Sequence, residues 1–396
     1  MPVYAQHGHG KSDRLPAAFD TGSLQGVIFG ARNEKYTNMQ TCLDALRTSY
    51  DVKLLFDPQF YVTTLVPASE RFLPEYPYYS AGRTSADFVG PKKLNLFAKQ
   101  TLDLQAGWPL DRIISPSVLF NRFDDKWCQI ALNLASASLD YHAGLDNPSP
   151  LLLSLIIAEE ALDSREELEG FLDQVTAWEP HGFYVVVART ESTYSQRYDS
   201  NRLAHLLYLT YILGSVNGFE VVNGYSDFCG PMLRAVGSTA FATGWSQSLR
   251  QFHKRSFIRR KPGGQPPRLR YSSVPLLNSI MLGELQQAFE VDAMDLVLSN
   301  VPSDTVITSA TSPDASTWNQ RISELHHWEA LQSIDVAMVG DASVDMGQMR
   351  NRLENASALY VALAAAGVVF ERQENHLKQW IEALDIFAEM SGLDLE

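Results

Sequence analysis

The stretch LLLSLIIAEEALDSREELEGFLDQVTAWEPHGFYVVVA, residues 151–188, decides the fold. It opens with LLLSLIIA (151–158), where only Ser154 is polar, and closes with FYVVVA (183–188). Runs that are short, aliphatic and apolar at both odd and even positions suit strands of a parallel sheet covered on both faces. Between them SREELEGFLDQVTAW (164–178) reads as an amphipathic helix. The sum is one strand–helix–strand unit, which closes as a right-handed crossover.

The same alternation recurs outward from this unit. QGVIFGA (25–31), VKLLF (52–56) and RIISPSVLF (112–120) precede it, and FEVVNGY (219–225), STAFATG (238–244) and YSSVPLL (271–277) follow. Amphipathic stretches at 38–50, 126–145 and 201–218 lie between these runs. Eight strand-like runs alternating with helices predict a closed (β/α)8 TIM-type barrel. An open doubly wound α/β sheet is the alternative. Pro116 and Pro275 strain two of the runs, because proline cannot donate to a ladder. The interval from Phe56 to Arg112 must hold an excursion as well as a helix. Its proline-rich, aromatic part (65–93) suits a loop that covers a barrel mouth.

These periods divide the chain into a flexible tail (1–20), a barrel (21–297), a Ser/Thr/Pro/Asp linker (298–316) and a helical appendage (317–396). The tail carries no core-forming period, so its removal is expected to leave folding intact. In the appendage, ALYVALAAAGVVF (358–370) is too apolar for water and needs the barrel wall or another copy of the chain.

Bulk composition narrows the classes. The 396 residues carry a net charge of −14, with 45% hydrophobic and 20% charged residues. An acidic surface repels nucleic acid and anionic membranes except at a local basic patch. Cys42, Cys128 and Cys229 are widely spaced, which argues against a disulfide framework or a zinc–thiolate site and fits a reducing cytoplasm. No signal pattern or membrane-length apolar run is read in the sequence.

AQHGHGKS (5–12) resembles both a phosphate-binding loop and a two-histidine metal pair. The first reading needs a strand before it and a helix after it, yet Pro16 falls where the helix should run. The second needs further ligands at later strand ends, and none of the remaining histidines falls there.

Barrel enzymes place their chemistry at the C-terminal ends of strands. Asp57, Glu159, Glu191 and Asp227 stand at such ends as candidate catalytic acids, bases or Mg²⁺ ligands. Arg32, Asn33, Arg189, Asn223, Tyr225 and Trp245 are candidate substrate-binding residues by the same rule. The segment 253–271 holds seven of the 32 basic residues and no acid. Arg255, Arg259, Arg260 and Lys261 within it are suited to phosphate or nucleic acid. No Gly-x-Ser-x-Gly elbow and no Ser–His or Cys–His pair stands out. The expectation is a cytoplasmic barrel enzyme, a hydrolase or transferase, acting on an anionic, phosphorylated or nucleic-acid-linked substrate. Its rival is a non-catalytic barrel subunit that uses the basic loop and residues 317–396 to contact a protein partner or another copy of itself.

Overall fold

The computed structural model describes residues 3–9, 13–65, 69–191, 194, 196–257, 268–336, 338–370 and 376–395. Strands β1 (Val3–Gln6), β2 (Gly26–Gly30), β3 (Lys53–Asp57), β4 (Ile113–Ile114), β5 (Leu119–Phe120), β6 (Leu151–Ala158), β7 (Gly182–Ala188), β8 (Glu220–Gly224) and β9 (Ala240–Thr243) form one parallel sheet. Its order is β3-β2-β1-β9-β8-β7-β6-β4, with β5 also on β6. The ends meet where Leu55 bridges Arg112 and Asp111 N donates to Leu54 O at 2.9 Å, so the sheet closes into a TIM-type barrel. β4 and β5 are two parts of the fourth barrel strand. Pro116 interrupts it, and Ser115 Oγ accepts from Ser154 N at 2.9 Å across the break.

A helix follows each barrel strand: α1 (Arg14–Asp20), α2 (Tyr36–Ser49), α3 (Pro91–Ala106), α4 (Lys126–His142), α5 (Arg165–Thr176), α6 (Ser200–Tyr211), α7 (Gly230–Ala235) and α8 (Gln247–Arg250). The register gives the interior face directly: Tyr4 pairs with Gly26 and Ala242, Gly30 with Asp57, and Tyr184 with Ser154 and Val222. These positions share one face of the pleat.

Three readings are corrected. Residues 1–20 are not a tail: Val3–Gln6 is a buried strand between β2 and β9, and Arg14–Asp20 is helical. Pro16 is tolerated because it lies in the first turn, where a backbone N–H has no intrahelical acceptor. The run 271–277 is not a barrel strand. β10 (Arg270–Ser273) pairs antiparallel with β11 (Asn278–Met281) outside the barrel, so Pro275 falls in the connecting turn. The barrel strands therefore run from residue 3 to 243 rather than from 21 onward. Nor is 298–316 a free linker. Leu298 and Ile307 are buried in a second core with Tyr271, Ile280 and Trp318, and Tyr271 OH donates to Asp304 Oδ1 at 2.8 Å.

Among the remaining helices, α9 (Leu282–Glu290) and α10 (Thr305–Thr308) belong to that second unit. α11 (Gln320–Val336), α12 (Ala342–Ala365) and α13 (His376–Ser391) complete the shell. α11 and α12 lie where it is thin: α1, α7 and α8 are only 7, 6 and 4 residues long. α11 packs on α1, α7 and β1, α12 on α7, and α13 on α6. Trp328 and Trp380 are fully buried there, and Trp328 Nε1 donates to Thr243 O at the end of β9. The apolar 358–370 stretch divides: Leu363, Val368 and Phe370 enter the second core, while Val361 and Val369 stay exposed.

Candidate ligand pocket at the barrel mouth

A cavity of about 500 Å³ opens at the C-terminal end of the strands, within the size range of small-ligand sites. Its lining comes from the residues just after β1 (Gly8, His9), β2 (Arg32, Asn33), β3 (Gln59), β8 (Tyr225) and β9 (Trp245, Ser246). Loops add Ser69, Arg71, Ser248, Leu249, Ser256 and Phe257. None of the described lining residues is acidic.

Arg32 is half-buried and held in place. Its Nε donates to Ser69 O at 2.6 Å, its Nη2 to Ser256 O at 3.0 Å, and its guanidinium lies 4.8 Å from the Phe257 ring centroid. Burial, reinforced by the charge of Arg71, pushes its pKa down to about 10. Arg71 is exposed, adopts φ 48°, and donates to Asn33 Oδ1 at 3.4 Å. Asn33 Nδ2 in turn donates to His7 O at 3.0 Å. Among the described residues no carboxylate lies within ion-pair distance of Arg32 or Arg71. Two guanidiniums without acids beside several hydroxyls present donors of the kind that pair with anions.

Beneath the pocket lies a buried polar cluster. Tyr184 crosses the barrel from β7, and the missing side chain of Gly224 makes room for it: a Cβ there would stand 2.7 Å from the Tyr184 hydroxyl. Asp57 Oδ2 accepts from Tyr61 OH at 3.1 Å and from Tyr184 OH at 3.4 Å, and Oδ1 accepts from Gln59 N at 2.8 Å. Burial raises the Asp57 pKa to about 6 against the pull of these three donors. Tyr225 lines the pocket and is in polar contact with Gln59 and Tyr61. Gln59 (φ 49°) and Tyr225 (φ 57°) both hold left-handed backbone conformations, which cluster at functional sites.

Of the residues expected at the mouth, Arg32, Asn33, Tyr225 and Trp245 line the cavity and Asp57 lies under it. Glu159 and Arg189 instead pair with each other, and Glu159 also meets Arg202 (3.3 Å) and Thr190. Burial pushes the Glu159 carboxyl up, but Arg189 and Thr190 outweigh it and hold it below its ordinary range. Arg189 stacks on Tyr198 at 3.2 Å. Glu191 is exposed and does not line the cavity. Asn223 points into the wall and donates to Ser238 Oγ at 2.9 Å. Asp227 is buried, with Oδ1 2.9 Å from His327 Nε2 of α11, an ion-pair distance not aligned as a hydrogen bond. His327 Nδ1 lies 2.8 Å from Ser272 Oγ. This Asp–His–Ser series is sealed within the protein, each member 2% exposed or less, and it ties β8 to α11 and β10. Arg255 is exposed outside the lining, and Arg259, Arg260 and Lys261 lie outside the described residues.

The AQHGHGKS stretch begins within β1 and is followed by α1, so the strand and helix that the phosphate-loop reading calls for are both present. Its first part ends β1, and His7 packs on Phe29 and Trp245. Gly8 is required because a Cβ there would lie 2.7 Å from Trp245. Lys11 and Ser12 lie outside the described residues. Among the described residues no three His, Cys, Asp or Glu side chains group closely enough to hold a metal ion. Sequence reasoning missed Arg71, Ser69 and Phe257, which sit in loops, and Tyr184, whose only signal was a hydroxyl inside an otherwise apolar run. No helix among the described residues is long and apolar enough to cross a membrane. Compared with protein-family models and with curated protein sequences, the chain matches none.

Proposed function

We propose that this protein is a barrel enzyme whose mouth binds an anionic, phosphate-bearing substrate through Arg32 and Arg71. The observation that carries this reading is the pairing of two guanidiniums in one cavity that, among the described residues, no carboxylate lines or pairs with. Forked donors suit phosphate oxygens, and the serine hydroxyls supply further donors. Trp245 and Phe257 add aromatic surface for a ring in the same ligand. Tyr225 is the group placed to exchange a proton with it. Because the pocket-lining Ser256 and Phe257 lead in sequence into the basic 258–270 segment, an extended polyanion suits the site as well as a small ester.

The test is thermal stabilisation and native mass spectrometry against phosphate esters, nucleotides and single-stranded oligonucleotides at low salt. Binding by the wild type that is lost in Arg71→Ser, with unchanged melting of the free proteins, supports the reading. Absence of binding to every member of the panel overturns it and favours a barrel that serves as a subunit of an assembly.

A further inference from the structure

We propose that Asp57 is a positioning residue that acts as the proton reservoir of the mouth, taking up one proton, by way of Tyr61 and Tyr225, when an anion occupies the Arg32–Arg71 pocket. The inference rests on the reading of that pocket as an anion site.

The geometry supplies the route. Tyr225 lines the pocket, is in polar contact with Tyr61, and Tyr61 OH donates to Asp57 Oδ2 at 3.1 Å. Two phenol oxygens therefore stand between the cavity and a carboxyl that is 1% exposed. The ionisable groups facing Asp57 are all phenols: Tyr61 beyond β3, Tyr184 on β7, Tyr225 beyond β8, and Tyr78 in the mouth loop. Burial holds each of them above its ordinary range, so they stay neutral. Among the described residues no cation is within ion-pair distance of Asp57. It is the one negative charge in this cluster, and nothing neutralises it.

A second negative charge above it therefore has one route to relief. Like charges in a low-dielectric site raise the proton affinity of the weaker acid. A proton from solvent at the open mouth passes to Tyr225, which releases its own to Tyr61, which releases its own to Asp57. One O–H bond forms for each that breaks, the net change is one proton gained by the carboxyl, and nothing is oxidised. Burial has already lifted the carboxyl toward neutrality, so a modest further push completes the uptake near neutral pH.

The probe is sulfate, a divalent anion that does not titrate near neutral pH. Calorimetric titrations in buffers of different ionisation enthalpy count the protons taken up. The expected result is net uptake approaching one proton at about pH 7.5, with affinity falling up to about tenfold per pH unit above that. Uptake persists in His9→Gln, which removes the one imidazole of the described lining, and is lost in Asp57→Asn. Tyr61→Phe removes the link while leaving the carboxyl in place and abolishes most of the uptake, so the proposal stays testable if Asp57→Asn fails to fold. Sulfate binding without proton uptake, or with uptake lost only in His9→Gln, overturns the proposal and leaves the anion site standing. Failure of sulfate to bind at all overturns both.

Discussion

Tyr184 reaches across the barrel from β7 to bring its hydroxyl 3.4 Å from Asp57 Oδ2 at the end of β3. The contact joins opposite walls just below the mouth, so a buried carboxyl sits where most barrels pack aliphatic layers. Its cost is legible in pH.

Unfolded, Asp57 ionises near 3.8; folded, it holds its proton until about pH 6. The folded state binds the proton more tightly, so this group's contribution is fully present below pH 3.8 and is lost as pH rises through 6. Asp57→Asn is therefore expected to stabilise the protein at pH 8, by at most about 3 kcal/mol, with a matching rise in melting temperature, and to lose that gain as pH falls below 4. Melting curves of both proteins across that range check it. Equal pH slopes in the two proteins contradict it.

Arg32 and Arg71 share a pocket but not a structural role. Arg32 ties the loops carrying Ser69 and Ser256, so Arg32→Ser costs about 1–3 kcal/mol as well as ligand binding. Arg71 is exposed and, among the described residues, its only side-chain hydrogen bond is the long one to Asn33, so Arg71→Ser loses binding at unchanged stability. Urea denaturation and ligand titration separate the two effects; similar destabilisation in both variants counts against this division.

Acid acts through the buried histidines. Burial lowers the pKa of His327 to about 4 and that of His326 to about 3, from 6.5. Here the unfolded chain takes protons first, so stability is intact above pH 6.5 and drains away as pH falls toward 4 and 3. Trp328 neighbours both in sequence and is fully buried, so urea midpoints followed by tryptophan fluorescence between pH 7 and 4.5 read the loss. A flatter slope in His327→Gln is the expected outcome; an unchanged one removes His327 from the account.

Deleting residues 1–12 is expected to prevent folding. It removes β1, whose Val3 and Ala5 are fully buried, and opens ladder edges on β2 and β9. Circular dichroism and solubility of the deletion decide this; a native-like melt for the shortened protein contradicts the placement of β1.

Seven of the eight barrel strands were legible because parallel strands buried on both faces leave long apolar runs between amphipathic helices. β1 was not. It has four residues, one of them Gln6, and a glycine- and histidine-rich sequence follows it. Composition alone could not separate it from a tail, and YSSVPLL filled the vacant place in the count. The site divides along the same line. Arg32, Asn33, Asp57, Tyr225 and Trp245 follow from the rule that function gathers at strand ends. Asn223 misleads because it falls on the outward face of its strand, one residue out of step with Gly224. Glu159 and Arg189 mislead because they end adjacent strands and satisfy each other. Arg71 and Phe257 arrive on loops, whose paths no periodicity encodes.

The position of β1 between β2 and β9 also sets an order of events during synthesis. Val3–Gln6 leaves the ribosome long before Ala240–Thr243, and the barrel has no closed form until that late strand arrives. Arg14 waits longer still for Glu324, and Asp13 for Arg321, 2.8 Å away in the finished protein. Until Ala240–Thr243 is made the nascent chain therefore carries an open, apolar sheet edge. Its closure is non-local, and the period of greatest exposure to aggregation falls before α11 is made.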